Sequence, residues 1–173
     1  MNITKQILFY NFYFFIFAGM ESEKPFSPEL YVENNNIAIV MSLNYLVSTG
    51  HYYFKKNPLE QEETFKKYDY VLFLKKNDKQ VKIEVERKKT WIKSGLWQGY
   101  KTLDVPERKK DSEADLLIML NNTVDTIAIM KMKDVLNSKI YKKNTIYTTE
   151  ESFYAVDLQK IKFYHFKWEE IKP

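Results

Sequence analysis

The chain has 173 residues, a formal net charge of +4, 45% hydrophobic and 29% charged side chains, and no cysteine. That size and balance fit one globular domain and exclude wholesale disorder. With no cysteine and only two histidines, disulfide frameworks, thiolate zinc sites, thiol nucleophiles and histidine-rich metal sites are excluded, so metal chemistry falls to carboxylates and a hard ion such as Mg²⁺. The mild positive charge favours an anionic partner. The abundance of Lys, Asn, Tyr, Phe and Ile is that of an AT-rich coding sequence, so the aromatic content is not in itself a binding signal.

Residues 1–20 form an apolar N-terminal segment, and residues 21–173 read as a single domain. Ile7 to Gly19 is a nearly unbroken apolar run, too short for a comfortable transmembrane helix, so no membrane span is expected. Three readings stand side by side: a signal-peptide core, an upstream stretch before a true start at Met20, or a buried element. A start at Met20 implies a cytoplasmic protein or one inside a host cell, whereas a signal peptide implies secretion.

Ser27-Pro28-Glu29 has the form of an N-cap with proline at the first helical position, and a mostly helical apolar pattern runs from Leu30 to Leu46, ending near Gly50. Asn34-Asn35-Asn36 interrupts that pattern and would delay the helix start. Tyr52 to Phe54 predicts a short strand, and Asn57 to Lys67 a connection. Strands follow at Tyr68–Leu74 and Val81–Lys89, joined across Asn77-Asp78. Thr90 to Lys110 reads as a long irregular segment, a length often tied to function. Further strands are expected at Asp115–Leu120, Thr126–Met130, Tyr147–Val156 and Ile161–Trp168, with a short helix at Lys133–Ser138.

The hairpin carries the chemistry. Side chains alternate faces along a strand, so Val81, Ile83 and Val85 share one face while Lys82, Glu84, Glu86 and Lys88 share the other. A two-residue turn at Asn77-Asp78 would set Asp69 opposite Glu86, with Tyr70, Leu72 and Leu74 opposite Val85, Ile83 and Val81. Three carboxylates on one face repel one another and need a counter-charge. A divalent cation held by Asp69 and by Glu86 or Glu84 would supply it, with Lys88 alongside to hold water or offset transition-state charge. The plain alternative is an amphipathic edge hairpin with a solvated face.

Asp69 followed by Glu86-Arg87-Lys88 resembles the PD-(D/E)xK, or restriction-endonuclease-like, nuclease superfamily, in which an acid on one strand precedes an acid-x-Lys on the next. Glu84-Val85-Glu86 is similar to that family's Glu-x-Glu variants. The resemblance implies an α/β fold with a restriction-endonuclease-like core, a central mixed β-sheet flanked by helices. It implies Asp69, Glu84 and Glu86 as ligands to Mg²⁺ (or Mn²⁺), Lys88 as the residue assisting water, and hydrolysis of DNA in preference to RNA. Glu33 is the match for an added acid on the preceding helix. Tyr68 replaces the motif's proline, and no helix is evident after the lysine strand.

Two basic stretches bracket the irregular segment. Lys89, Trp91 and Lys93 in the first, and Arg108, Lys109 and Lys110 in the second, would contact nucleic acid, phosphates through the cations and bases through the aromatic ring. Trp97, Tyr100 and Gln98 lie between them. The same tryptophans could instead plug the core. Cutting both strands of a duplex would suit a homodimer, though no segment marks an interface. No Walker motif, Gly-rich phosphate loop or nucleophile elbow is present, and His51 and His165 read as ordinary residues. The competing classes are a non-enzymatic nucleic-acid-binding or protein-interaction module of the same fold, and a secreted or membrane-associated interaction protein.

Overall fold

The computed structural model describes residues 28–55, 67–145 and 150–166, with side chains in the first helix from Asn36 onward. The apolar segment 1–20, Ser27, the connection at 57–66 and the end of the last expected strand lie outside the described residues. Helix α1 (Pro28–Ser48) begins at proline, whose fixed φ and missing N–H suit a first helical position. It runs unbroken through Asn34-Asn35-Asn36 rather than starting after them. It stops where Gly50 takes φ 75 and its N–H donates to Val47 O.

Six strands form a mixed sheet in the order β1 (Tyr52–Tyr53), β2 (Tyr70–Leu74), β3 (Gln80–Arg87), β5 (Leu116–Leu120), β6 (Thr126–Lys131) and β9 (Lys162–His165). β3 and β5 are parallel, and the other neighbours are antiparallel. A second sheet has the order β4 (Thr102–Pro106), β8 (Glu151–Asp157), β7 (Lys139–Lys143). A 3₁₀ turn (Glu107–Asp111) follows β4, and the short helix α2 (Met132–Leu136) follows β6.

Alternation along the central strands separates two cores. Ile83 and Val85 of β3, Ile118 and Leu120 of β5 and Ile127 of β6 pack with Ala38, Met41 and Leu46 of α1. Leu117 and Met119, Ala128 and Met130 face the other way and pack with Leu103 and Val105 of β4, Val156 of β8 and Val135 of α2. On the first side the buried Tyr70 phenol and Ser42 Oγ share a hydrogen bond of 2.8 Å, which satisfies a polar group that burial would otherwise penalise.

The α/β class and the central mixed sheet are as expected from sequence, but the flanking is different. A helix covers one face and a three-stranded sheet the other, so the protein is mostly strand. The segment 90–110 is likewise not irregular throughout, since Thr102–Pro106 is β4 and Glu107–Asp111 the 3₁₀ turn. Leu103 and Val105 alternate with polar neighbours, and their burial against β8 stabilises a strand that Pro106 disguises.

The β2–β3 hairpin also departs from expectation. Its turn takes four residues, not two: Leu74 N–H donates to Lys79 O, and Asp78 adopts φ 56. Tyr70 therefore pairs with Ile83 and Leu72 with Val81. A displacement of two residues leaves every side chain on its expected face, because the strand repeat is itself two. It changes only the partners. Since the chain has no cysteine, the register can be read chemically. A Val71→Cys/Lys82→Cys variant, whose Cα partners face each other, should oxidise to a disulfide, and Val71→Cys/Glu84→Cys should not, as scored by thiol titration.

Candidate active site

The second-side residues of β3 are Lys82, Glu84 and Glu86, and this face is covered by the segment joining β3 to β5. Glu84 is 12% exposed and Glu86 19%, so the face is neither solvated nor apolar. Covering it, the 3₁₀ turn after β4 delivers Lys109, itself 15% exposed. The Lys109 ammonium hydrogen-bonds Glu84 Oε1 and lies 3.9 Å from Glu86 Oε2. Arg108 NH2 approaches the same Glu86 oxygen at 4.0 Å and Glu151 at 3.4 Å through NH1.

Asp69 precedes β2 by one residue and closes the group. The ladder ends at Tyr70, where Asp69 N–H donates to Ile83 O at 2.8 Å. Its carboxylate takes over from the main chain, with Oδ2 accepting from Val85 N–H at 2.6 Å. Asp69 is thereby set against Glu84, not Glu86 as the two-residue turn had implied. Both Glu84 and Lys109 feel its charge.

The electrostatics follow from burial and crowding. Burial pushes the Glu84 carboxyl above the usual range; Lys109 opposes this, while Asp69 and Glu86 add to it. Burial also works against the Lys109 ammonium, but Glu84, Glu86 and Asp69 outweigh it and hold the ammonium above its ordinary value. Lys88 shows the opposite balance. Burial lowers it, Glu86 and Asp104 only partly compensate, and Lys143 and Arg108 push it down further. Its Nζ donates to Asp104 O at 3.0 Å, and Asp104 Oδ2 pairs with Lys143 at 2.5 Å.

The structure thus brings Asp69, Glu84 and Glu86 together, with Lys88 at the end of the same face. It adds Lys109, which the sequence had placed among nucleic-acid contacts. A Lys-Lys pair after Arg108 has the look of a solvated run, and nothing local betrays that one of its ammonium groups meets a carboxylate 25 residues earlier in the chain. Arg108 and Lys110 are exposed, as are Lys89 and Lys93. Trp91 is fully buried, packed edge-on to Trp97 and Phe163, so it offers no face on which a base could stack. Gln98 accepts a main-chain N–H from Ile92 and holds its loop. The Glu33 side chain lies outside the described residues.

All three acids offer hard oxygen ligands, the chemistry Mg²⁺ and Mn²⁺ prefer. Glu86 Oε2 is buried without a hydrogen-bond partner, an acceptor with capacity to spare. Among the described residues, however, no three acidic or imidazole groups are spaced as a metal-ligand set, and Lys109 already supplies a counter-charge. An open depression lined by Lys67, Glu84, Arg108, Lys109, Asp111 and Ser112 gives the cluster access to solvent.

Among the described residues no helix is long and apolar enough to cross a membrane. Comparison with family models, curated proteins and solved structures gave no match.

Removing Lys109 would leave a half-buried carboxylate cluster without its nearest cation. Lys109→Met should cost about 3–5 kcal/mol in urea unfolding at neutral pH. Glu84 already titrates above its unfolded value, and the variant raises it further. The deficit should therefore be smallest in acid, below the unfolded value, and grow as pH rises through the folded one.

Proposed function

We propose that the chain is a divalent-metal-dependent phosphodiesterase acting on DNA in preference to RNA, built on a restriction-endonuclease-like core. The observation that carries this reading is the convergence of Asp69, Glu84 and Glu86 around one lysine on a half-buried sheet face. The order of elements supports it as well. A helix, the strand after Asp69, the strand of Glu84 and Glu86, and a later strand parallel to it follow one another as the resemblance requires. The helix expected after the lysine strand is absent, and β4 with its 3₁₀ turn stands in its place.

Asp69, Glu84 and Glu86 would hold Mg²⁺ or Mn²⁺, which supplies positive charge to a phosphoryl oxygen and makes water more acidic. Lys109 is the lysine best placed to meet the phosphate, because it reaches the carboxylates from the solvent-open side. Lys109, bonded here to Glu84, would meet a phosphate oxygen instead when the acids hold a cation. Lys88, with its ammonium destabilised by burial, is a positioning residue that balances Glu86 and ties β3 to β4 through Asp104 O. Arg108 and Lys110, exposed beside the depression, would hold flanking phosphates.

One observation favours a second reading, a non-enzymatic module with the same fold. Lys109 bonds Glu84 and lies close to Glu86, as the cation of a purely structural ion cluster would.

Calorimetry with Mn²⁺ on the full chain separates the two. The nuclease reading expects binding that is lost in Glu84→Gln and Glu86→Gln, and cleavage of plasmid DNA that falls about 100-fold or more in the same variants and stops with EDTA. Absence of both binding and cleavage, repeated with an oligonucleotide present, would leave the module reading.

A further inference from the structure

The segment between β3 and β4 concentrates positive charge, with four lysines and no acid over residues 88–103. Its main chain is held from two sides. Within the segment, the indole N–H of buried Trp91 donates to Leu96 O at 2.8 Å, Ile92 N–H to Gln98 Oε1 at 3.0 Å, and the Trp97 indole to Tyr100 O at 3.0 Å. From outside, the β5–β6 turn pins it. Asn122 N–H donates to Trp91 O at 2.7 Å, Asn121 Nδ2 to Lys93 O at 3.2 Å, and Gly95 N–H to Thr126 Oγ1 at 2.6 Å. Gly95 sits at φ +69, a left-handed conformation that calls for glycine.

A loop restrained this heavily nevertheless leaves its apolar side chains in water. Ile92 and Leu96 are each 67% exposed and Tyr100 65%, alongside exposed Lys89, Lys93 and Lys101. Ile92 and Leu96, exposed on this restrained loop, cost solvation, whereas the Tyr100 ring meets Trp97 edge-on.

We infer that this loop engages duplex DNA, with Lys89, Lys93 and Lys101 on phosphates and Ile92 and Leu96 entering a base step as a wedge. Charge complementarity selects an anionic partner. Aliphatic side chains lack the ring faces that single-stranded bases stack upon, but they are the groups that part base pairs in kinked duplexes. An anionic bilayer surface is the competing partner, and the vesicle measurement below reads it. The loop also leaves β3 at Lys88, roughly 13 Å along the strand from Glu84 at about 3.3 Å per residue. The inference rests on the DNA reading of that site and adds the form of the substrate, a duplex opened at one base step.

The test uses the full chain in EDTA, with a short duplex carrying 2-aminopurine at successive steps, so that binding is read without cleavage. Binding should raise 2-aminopurine fluorescence at one step. Ile92→Ser/Leu96→Ser should abolish that rise while keeping salt-dependent binding. Lys89→Ala/Lys93→Ala/Lys101→Ala should make the slope of log affinity against log salt shallower by about three. Circular dichroism of each variant should match the parent, since all five side chains are exposed. Duplex binding with no fluorescence change at any step, or a rise that survives Ile92→Ser/Leu96→Ser, overturns the wedge. So does binding to phosphatidylserine vesicles, but not to duplex, that depends on Ile92 and Leu96. A parallel cleavage assay with Mn²⁺ keeps the two readings apart. Cleavage without a wedge signal removes this inference alone, and a wedge signal without cleavage or Mn²⁺ binding removes only the nuclease.

Discussion

The parallel pairing of β3 with β5 is the constraint from which the rest of the architecture follows. Parallel neighbours cannot be joined by a tight turn, so the chain must leave the end of β3, cross one face of the sheet and return to the start of β5. Here the crossing occupies residues 88–115 and contains no α-helix. It is assembled from a pinned loop, a strand and a 3₁₀ turn, and a strand cannot cover a sheet face without a neighbour of its own. That neighbour is β8, which draws the C-terminal part of the chain across the same face. The second sheet is thus a consequence of a crossover that lacks a helix.

The same crossing decides the fate of the charges on β3. Glu84 and Glu86 would be ordinary solvated residues on an open hairpin. Laid under the crossover they lose water: Glu84 gains Lys109 and Lys88 gains the Asp104 carbonyl from the crossover itself, while Glu86 has Lys109 and Arg108 nearby and keeps Oε2 without a hydrogen bond. Apolar residues of similar volume would be as stable or more so in such a place, because desolvation consumes most of what charge pairing returns. Stability alone gives no reason to keep charge there, and that is the physical ground for reading the cluster as functional.

Much of this was legible in the sequence, within a definite limit. Pro28 and Gly50 mark the ends of α1 because their backbone restrictions are local. The faces of β2 and β3 are readable because Val81, Ile83 and Val85 alternate with Lys82, Glu84 and Glu86. Register was not readable to within two residues, since periodicity is blind to a shift by its own period. Only the turn, where Asp78 takes a left-handed conformation, fixes it. The basic neighbours of Lys109 point to a surface, and for Trp91 they leave a stacking surface and a core plug both open, because composition cannot distinguish a buried indole from an exposed one. Their true settings depend on contacts with β5, β9 and β3, which lie distant in sequence and leave no mark nearby.

The dependence of β4 on β8 also orders events in time. Thr102–Pro106 pairs with Phe153–Asp157, some fifty residues later, and among the described residues β8 is the only sheet neighbour β4 has. At synthesis rates of about 5–20 residues per second, a growing chain passes several seconds with its acidic strand made but the overlying layer unanchored. During that interval the layer over the carboxylates holds to the first sheet only by contacts of its own, such as Lys88 with Asp104 O and Ser112 with Lys67 O. The cover over the cluster is therefore completed last, by the strand made nearly last.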